Sequence, residues 1–198
     1  MTEATFTTGK GAQAPDPAAA PRDIRVWDPL VRLIHWSVAA GVFVNAAVTD
    51  PEKQPHELVG YAILALVLLR LVWGLMGPRP ARFTSFPPNP LAALRHLWGL
   101  FHGARGVHLS HNPAGALMVY NLWATLIGMG ATGIMMTTPR YFGIEWVEEA
   151  HEALFAWLML SVALHIAGVL LDTALTRVNL VRAMLDGRKR LPPQGPAG

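Results

Sequence analysis

Eight histidines and no cysteine occur among 198 residues, and four of those histidines, His35, His56, His151 and His165, fall within or at the edge of long apolar runs. An ionisable side chain is expensive to place in a membrane span, so each of the four is a functional candidate. The absence of cysteine excludes disulfides, cysteine-ligated iron–sulfur clusters, thiolate haem ligation and C-x-x-C-H haem attachment. A transition metal would have to rely on histidine, with the eight methionines as weaker candidates. Taken singly, any of these histidines could merely hydrogen-bond a neighbouring helix.

Their spacing favours a different chemistry. His151 and His165 are 14 residues apart, which on a helix is about 21 Å along the axis and within about 40° of one face. His56 opens its apolar run at the level of His151. His35 lies five residues from the opposite end of its run and His165 seven from the end of its own, so both sit roughly 8 to 11 Å in. An outer couple, His56 with His151, and an inner couple, His35 with His165, fit two planar cofactors gripped from opposite sides: bis-histidine haem b. Two trans imidazoles leave iron no open position and suit electron transfer.

Competing metal chemistry fits less well. Zinc needs four clustered ligands, whereas each level offers two. Neither His56-Glu57 nor His151-Glu152 continues to H-E-x-x-H, because Gly60 and Phe155 stand where the second histidine should be. A His-lined proton or metal-ion permease is the alternative function, and a purely structural anchor a third.

Other residues are candidates by position. Arg70 follows His56 by 14 residues, which puts it at the inner level, where a guanidinium could pair with a haem propionate or a quinone headgroup. Arg32, one turn before His35, could pair with a propionate or serve as a basic anchor. His111 precedes Asn112-Pro113 near the same level and could touch a propionate or quinone, with helix-start chemistry as the competing role. His96, His102 and His108 are expected in solvated loop. Gly128, Gly130 and Gly133 match G-x-G-x-x-G inside an apolar span without a preceding strand, so they suit close packing of a helix or porphyrin face. Trp27, Trp36, Trp73, Trp98 and Trp146 suit an aromatic belt.

The elements that must position these residues follow from composition. Hydrophobic residues make up 52% and charged residues 15%, with mean hydropathy +0.32, against roughly a quarter charged in a soluble domain. The net charge of +3 is too small and scattered for a nucleic-acid surface. Residues 30–49, 56–77, 113–137 and 151–172 are each long enough to cross a hydrocarbon core of about 30 Å. Placing the N-terminus inside gathers Lys10, Arg22, Arg25, Arg32, Arg79, Arg82, Arg95, Arg105, Arg177, Arg182, Arg188, Lys189 and Arg190 on the cytoplasmic side. Only Lys53 and Arg140 then lie outside, among Asp50, Glu52, Glu57, Glu145, Glu148, Glu149 and Glu152.

The expected fold is therefore an all-α integral membrane four-helix bundle, N-in and C-in. In the connection 78–112, Leu91, Leu94, Leu97, Trp98 and Phe101 recur at helical spacing beside Arg95, which predicts a short interfacial helix in the cytoplasmic loop. Residues 1–25, rich in Thr, Ala and Pro and without a signal-peptide apolar run, read as a disordered tail, and 191–198 as another. The domain is expected over 26–190.

These residues also carry a resemblance. Val26-Trp27-Asp28-Pro29-Leu30-Val31-Arg32-Leu33-Ile34-His35-Trp36 resembles the opening motif of the bacterial cytochrome b561 and Ni,Fe-hydrogenase b-type cytochrome subunit family. Further matches follow in order: His56-Glu57-Leu58-Val59-Gly60-Tyr61, Arg70-Leu71-Val72-Trp73-Gly74, Ala81-Arg82-Phe83, His111-Asn112-Pro113-Ala114-Gly115-Ala116-Leu117-Met118, His151-Glu152 with His165, and MLDGRKR at 184–190. The resemblance implies four transmembrane helices and two b-type haems, with ligands at the positions of His35, His56, His151 and His165. It implies electron exchange between a quinone pool and a redox partner across the bacterial inner membrane. Relatives serve hydrogenases, c-type cytochromes or other dehydrogenases, and some act alone with quinone and superoxide. Expected partners are membrane lipid, quinone and a redox protein, with a homodimer as a further association; quinone-linked oxidoreductase activity is open.

Overall fold

The computed structural model describes residues 22–101 and 112–191. Among the described residues six helices run in the order α1 (Pro29–Ala47), α2 (Gln54–Met76), α3 (Pro90–Phe101), α4 (Pro113–Met136), α5 (Glu145–Thr176) and α6 (Leu180–Asp186), with 3-10 turns at Arg79–Ala81 and Phe83–Ser85 between α2 and α3. Of these, α1, α2, α4 and α5, at 19, 23, 24 and 32 residues, are long and apolar enough to cross a membrane. The protein is a mostly helical membrane bundle.

Helix starts follow local chemistry. Asp28 caps α1, its carboxylate accepting from the backbone N–H groups of Leu30 at 2.9 Å and Val31 at 3.3 Å, with Pro29 in the first turn where its missing N–H costs nothing. Asn112 caps α4 in the same way, also with a proline in the first turn. The fourth span begins at Glu145, six residues before His151, where the sequence reading started it. Glu145 and Glu148 in the first turn complement the positive end of the helix, so α5 starts outside the apolar run.

Packing is sequential: α1 on α2, α2 on α4, α4 on α5, with α3 also against α4. Ile63, Val67, Leu126 and Leu158 form the buried centre of α2, α4 and α5. Gly130 allows α2 and α4 to approach, because a Cβ there would meet the Leu64 side chain at 2.8 Å. Phe43, Leu68, Leu69, Val72, Leu164 and Ile166 face outward, the surface a lipid-embedded bundle presents. Polar glue joins α4 to α5: Asn121 donates to Ser161 Oγ at 2.8 Å and accepts from Trp157 Nε1 at 2.9 Å.

The expected helix in the loop is present as α3, with Leu91, Leu94 and Trp98 exposed and Ala93 buried. Both tail boundaries also differ from expectation, Leu191 closing a strand where the C-terminal tail was expected to begin. Arg22–Arg25, read from sequence as the end of a tail, form strand β1, which pairs antiparallel with β2 (Arg188–Leu191). The pairing is long-range: Gly187, at φ 83°, turns the chain out of α6, and its carbonyl accepts from Val26 N at 2.9 Å and Trp27 N at 3.2 Å. A side chain at 187 would be strained by that φ and would bring a Cβ to 3.1 Å from the Trp27 carbonyl. The remaining tail residues, 1–21 and 192–198, lie outside the described residues.

Candidate cofactor site

The fold brings the histidines of three helices into two couples. The rings of His35 (α1) and His165 (α5) have centroids 6.3 Å apart, inclined at 55°. Those of His56 (α2) and His151 (α5) are 6.5 Å apart, inclined at 65°. A direct hydrogen bond between two imidazoles would bring the centroids to about 5 Å. Two imidazoles bound to opposite sides of one metal, at about 2 Å per bond, stand about 6.3 Å apart. Both couples match the second spacing.

α5 lies against α4, yet it has no comparable backbone packing against α1 or α2, which carry the facing histidines. All four imidazoles are half-buried. Among the described residues, no group of three or more His, Cys, Asp or Glu side chains gathers to hold a metal ion, so the donor set is two pairs and not a zinc-like cluster.

The His56–His151 couple is held by threonine hydroxyls. Thr132 Oγ1 lies 2.8 Å from His151 Nδ1 and also 2.9 Å from the Gly128 carbonyl, to which its single proton is donated. Its oxygen therefore accepts from Nδ1–H of His151, which leaves Nε2 as the nitrogen with a free lone pair. Thr49 repeats the arrangement, donating to the Asn45 side-chain oxygen at 2.9 Å and lying 3.3 Å from His56 Nδ1. Fixing the tautomer through Nδ1 is how a metal-binding imidazole is oriented. The His35–His165 couple has no such hydroxyl among the described residues, and His35 Nδ1 is buried without a hydrogen-bond partner. These positions fit a bis-histidine haem.

Sequence reasoning missed both threonines; each lies outside any histidine motif, and only the helix packing brings Thr132 to α5. Gly133 sits under the same ring, its Cβ position 3.6 Å from His151 Cε1, while Gly128 accommodates Leu154.

The arginines are anchored by backbone carbonyls. Arg32 donates through one terminal nitrogen to the Leu185 carbonyl, with its Nε buried and unpaired. Arg70 is 7% exposed, donates to the Ala81 carbonyl at 3.0 Å, and lies 5.2 Å from the Trp123 ring and 5.7 Å from that of Phe83. Phe83, Phe86, Tyr120 and Trp123 form an aromatic cluster over it. Gly74 admits Phe83 to this cluster, since a Cβ there would overlap the ring at 2.1 Å. One terminal nitrogen of Arg70 is buried without a hydrogen-bond partner. His111, His102 and His108 lie outside the described residues, and His96 is half-buried on α3.

A protein-family model described as prokaryotic cytochrome b561 matches residues 26–187. No curated protein matches the chain.

Proposed function

The chain belongs to the prokaryotic cytochrome b561 family, a membrane b-type haem electron-transfer family, and from that premise we propose that it carries electrons through two haems b. The observation that carries the reading is the pair of centroid separations, 6.3 Å for His35 with His165 and 6.5 Å for His56 with His151. Each bound haem would supply a one-electron ferric/ferrous couple, and His35 with His165 and His56 with His151 would hold it. The chain's own residues orient the rings, exclude water and neutralise charge.

In this reading the basic end of the bundle is cytoplasmic and the acidic end faces the other side of the bacterial inner membrane. His56 and His151 hold the outer haem near Glu57 and Glu152; His35 and His165 hold the inner one. Arg70, Arg32 and His111 serve propionates or a quinone at the inner level. A separate redox protein exchanges electrons at the acidic face. The domain is the stretch 26–190, now extended by β1.

Spectra of the purified protein test this. Reduced-minus-oxidised bands of haem b with two haems per chain are expected, and His35→Ala or His165→Ala should leave one. If those variants keep two haems, the pairing is wrong; a colourless protein that transports metal would replace the whole reading with the permease.

A further inference from the structure

A cavity of about 150 Å³ opens beyond the end of α5, lined by Arg177, Asn179, Arg182, Arg188 and Arg190. Four guanidiniums and one amide make this lining. The amide is already oriented: Asn179 Oδ1 accepts from the Arg182 backbone N–H at 2.8 Å, so its NH₂ group is left as a donor. Every lining side chain can therefore offer N–H donors, and the chemistry of such a cavity is that of an anion site.

Neighbouring carboxylates neutralise only part of the charge. Asp186 lies 3.0 Å from Arg190 and 3.7 Å from Arg182, and Asp23 lies 3.3 Å from Arg188. Arg177 makes no ion pair among the described residues. A guanidinium has five N–H donors, so the paired arginines retain several. Arg177 also has φ 58°, a left-handed conformation that no other non-glycine among the described residues adopts. The chain holds an arginine in a conformation that glycine would take without strain, at a residue lining this cavity.

Depth indicates which anion. Asp172 is the first charged residue after the apolar run of α5, and Arg177 stands five residues further on, about 7.5 Å along a helix axis. The headgroup layer on each side of a bilayer is about 5 to 7 Å thick. Leu170 and Leu171 on α5, with Val181 and Leu185 on α6, are exposed beside this level and offer a surface for acyl chains. We propose that the cavity binds the phosphodiester of an anionic phospholipid, the acyl chains lying along these leucines and Val181. A free phosphate shares the headgroup chemistry but has no use for the apolar flank.

Native mass spectrometry of the detergent-purified full chain tests the site, with phosphatidylglycerol, phosphatidylcholine and inorganic phosphate titrated separately. Phosphatidylglycerol should bind in preference to phosphatidylcholine. Arg177→Gly removes the guanidinium while relieving the backbone, so it should fold at least as stably and lose affinity by about a factor of five; Arg177→Gly with Arg182→Gln should lose roughly 25-fold. Arg140→Gln, at the opposite end of the bundle, should change nothing. Equal binding of both lipids, unchanged affinity in Arg177→Gly, or binding of inorganic phosphate without phosphatidylglycerol would each overturn the proposal. None of these outcomes depends on haem content, so a failure here is distinguishable from a failure of the electron-transfer reading.

Discussion

Thr132 on α4 holds His151 on α5 by a hydroxyl 2.8 Å from Nδ1, and the direction of that hydrogen bond is set by the hydroxyl's own bond to the Gly128 carbonyl. Removing an outer-shell partner of this kind typically weakens metal affinity by about 10- to 100-fold. If His56 and His151 hold a haem as proposed, Thr132→Val should loosen it and raise its midpoint potential, because an imidazole with an unbonded Nδ1–H is a weaker donor to ferric iron. Thr132→Ser should restore both. Redox titration and haem retention on dilution read the effect, and an unchanged potential in the valine variant would remove the positioning role.

Arg70 is a buried cation, and in the two-haem proposal it stands near the haem of His35 and His165, the inner one, whose reduced form a positive charge would favour. Arg70→Leu should lower the inner potential by tens of millivolts, about 59 mV being a tenfold change for one electron. The Ala81 carbonyl loses its donor in this variant, at a cost of about 1 to 3 kcal/mol. A stability loss with no shift in the inner potential would make Arg70 purely structural.

Gly74 lies under the Phe83 ring, within 2.1 Å of where a Cβ would stand. Gly74→Ala should displace Phe83 from Arg70 and Trp123 and cost about 1 to 3 kcal/mol. Thermal unfolding measures the loss, and near-ultraviolet circular dichroism should change with it. Gly168, with nothing near its Cβ position, is the control that should tolerate alanine sterically.

Asp186 links α6 to β2, and its carboxyl is held below the usual carboxylate range, chiefly by the backbone N–H of Arg188 and then by Arg190, Arg182 and Arg188 as charges. A depressed acid contributes stability above its unfolded pKa of about 3.9 and loses it as pH falls through the folded value. Amide exchange in β1 and β2 should accelerate as pH drops below about 4, after correction for intrinsic rates. Asp186→Asn should remove that added acid sensitivity; an identical profile in the variant would show that the turn is held by other contacts.

Much of this was legible in the chain itself. The four spans, the loop helix and the pairing of histidines by depth follow from local quantities: apolar run length, a rise of about 1.5 Å per residue, and the level of each histidine within its run. Asp28-Pro29 and Asn112-Pro113 also announce their caps without reference to distant residues. Helix ends were less accessible, because α5 continues through Glu145, Glu148 and Glu149, residues whose charge marks departure from lipid but not from the helix.

The side-chain partners were not legible. Arg70 pointed by depth to a propionate, yet the structure gives its guanidinium a carbonyl from residue 81 and two aromatic rings. Strand β1 was unreadable because its hydrogen-bond partner lies more than 160 residues away at β2. Sequence alone determined where each histidine stands along its own helix, since that is a count along one segment. Tertiary structure decided which rings face each other across about 6.4 Å, which hydroxyl orients which imidazole and where the arginines bond. Those contacts depend on how helices rotate and lean against one another, and no count along a single segment contains that.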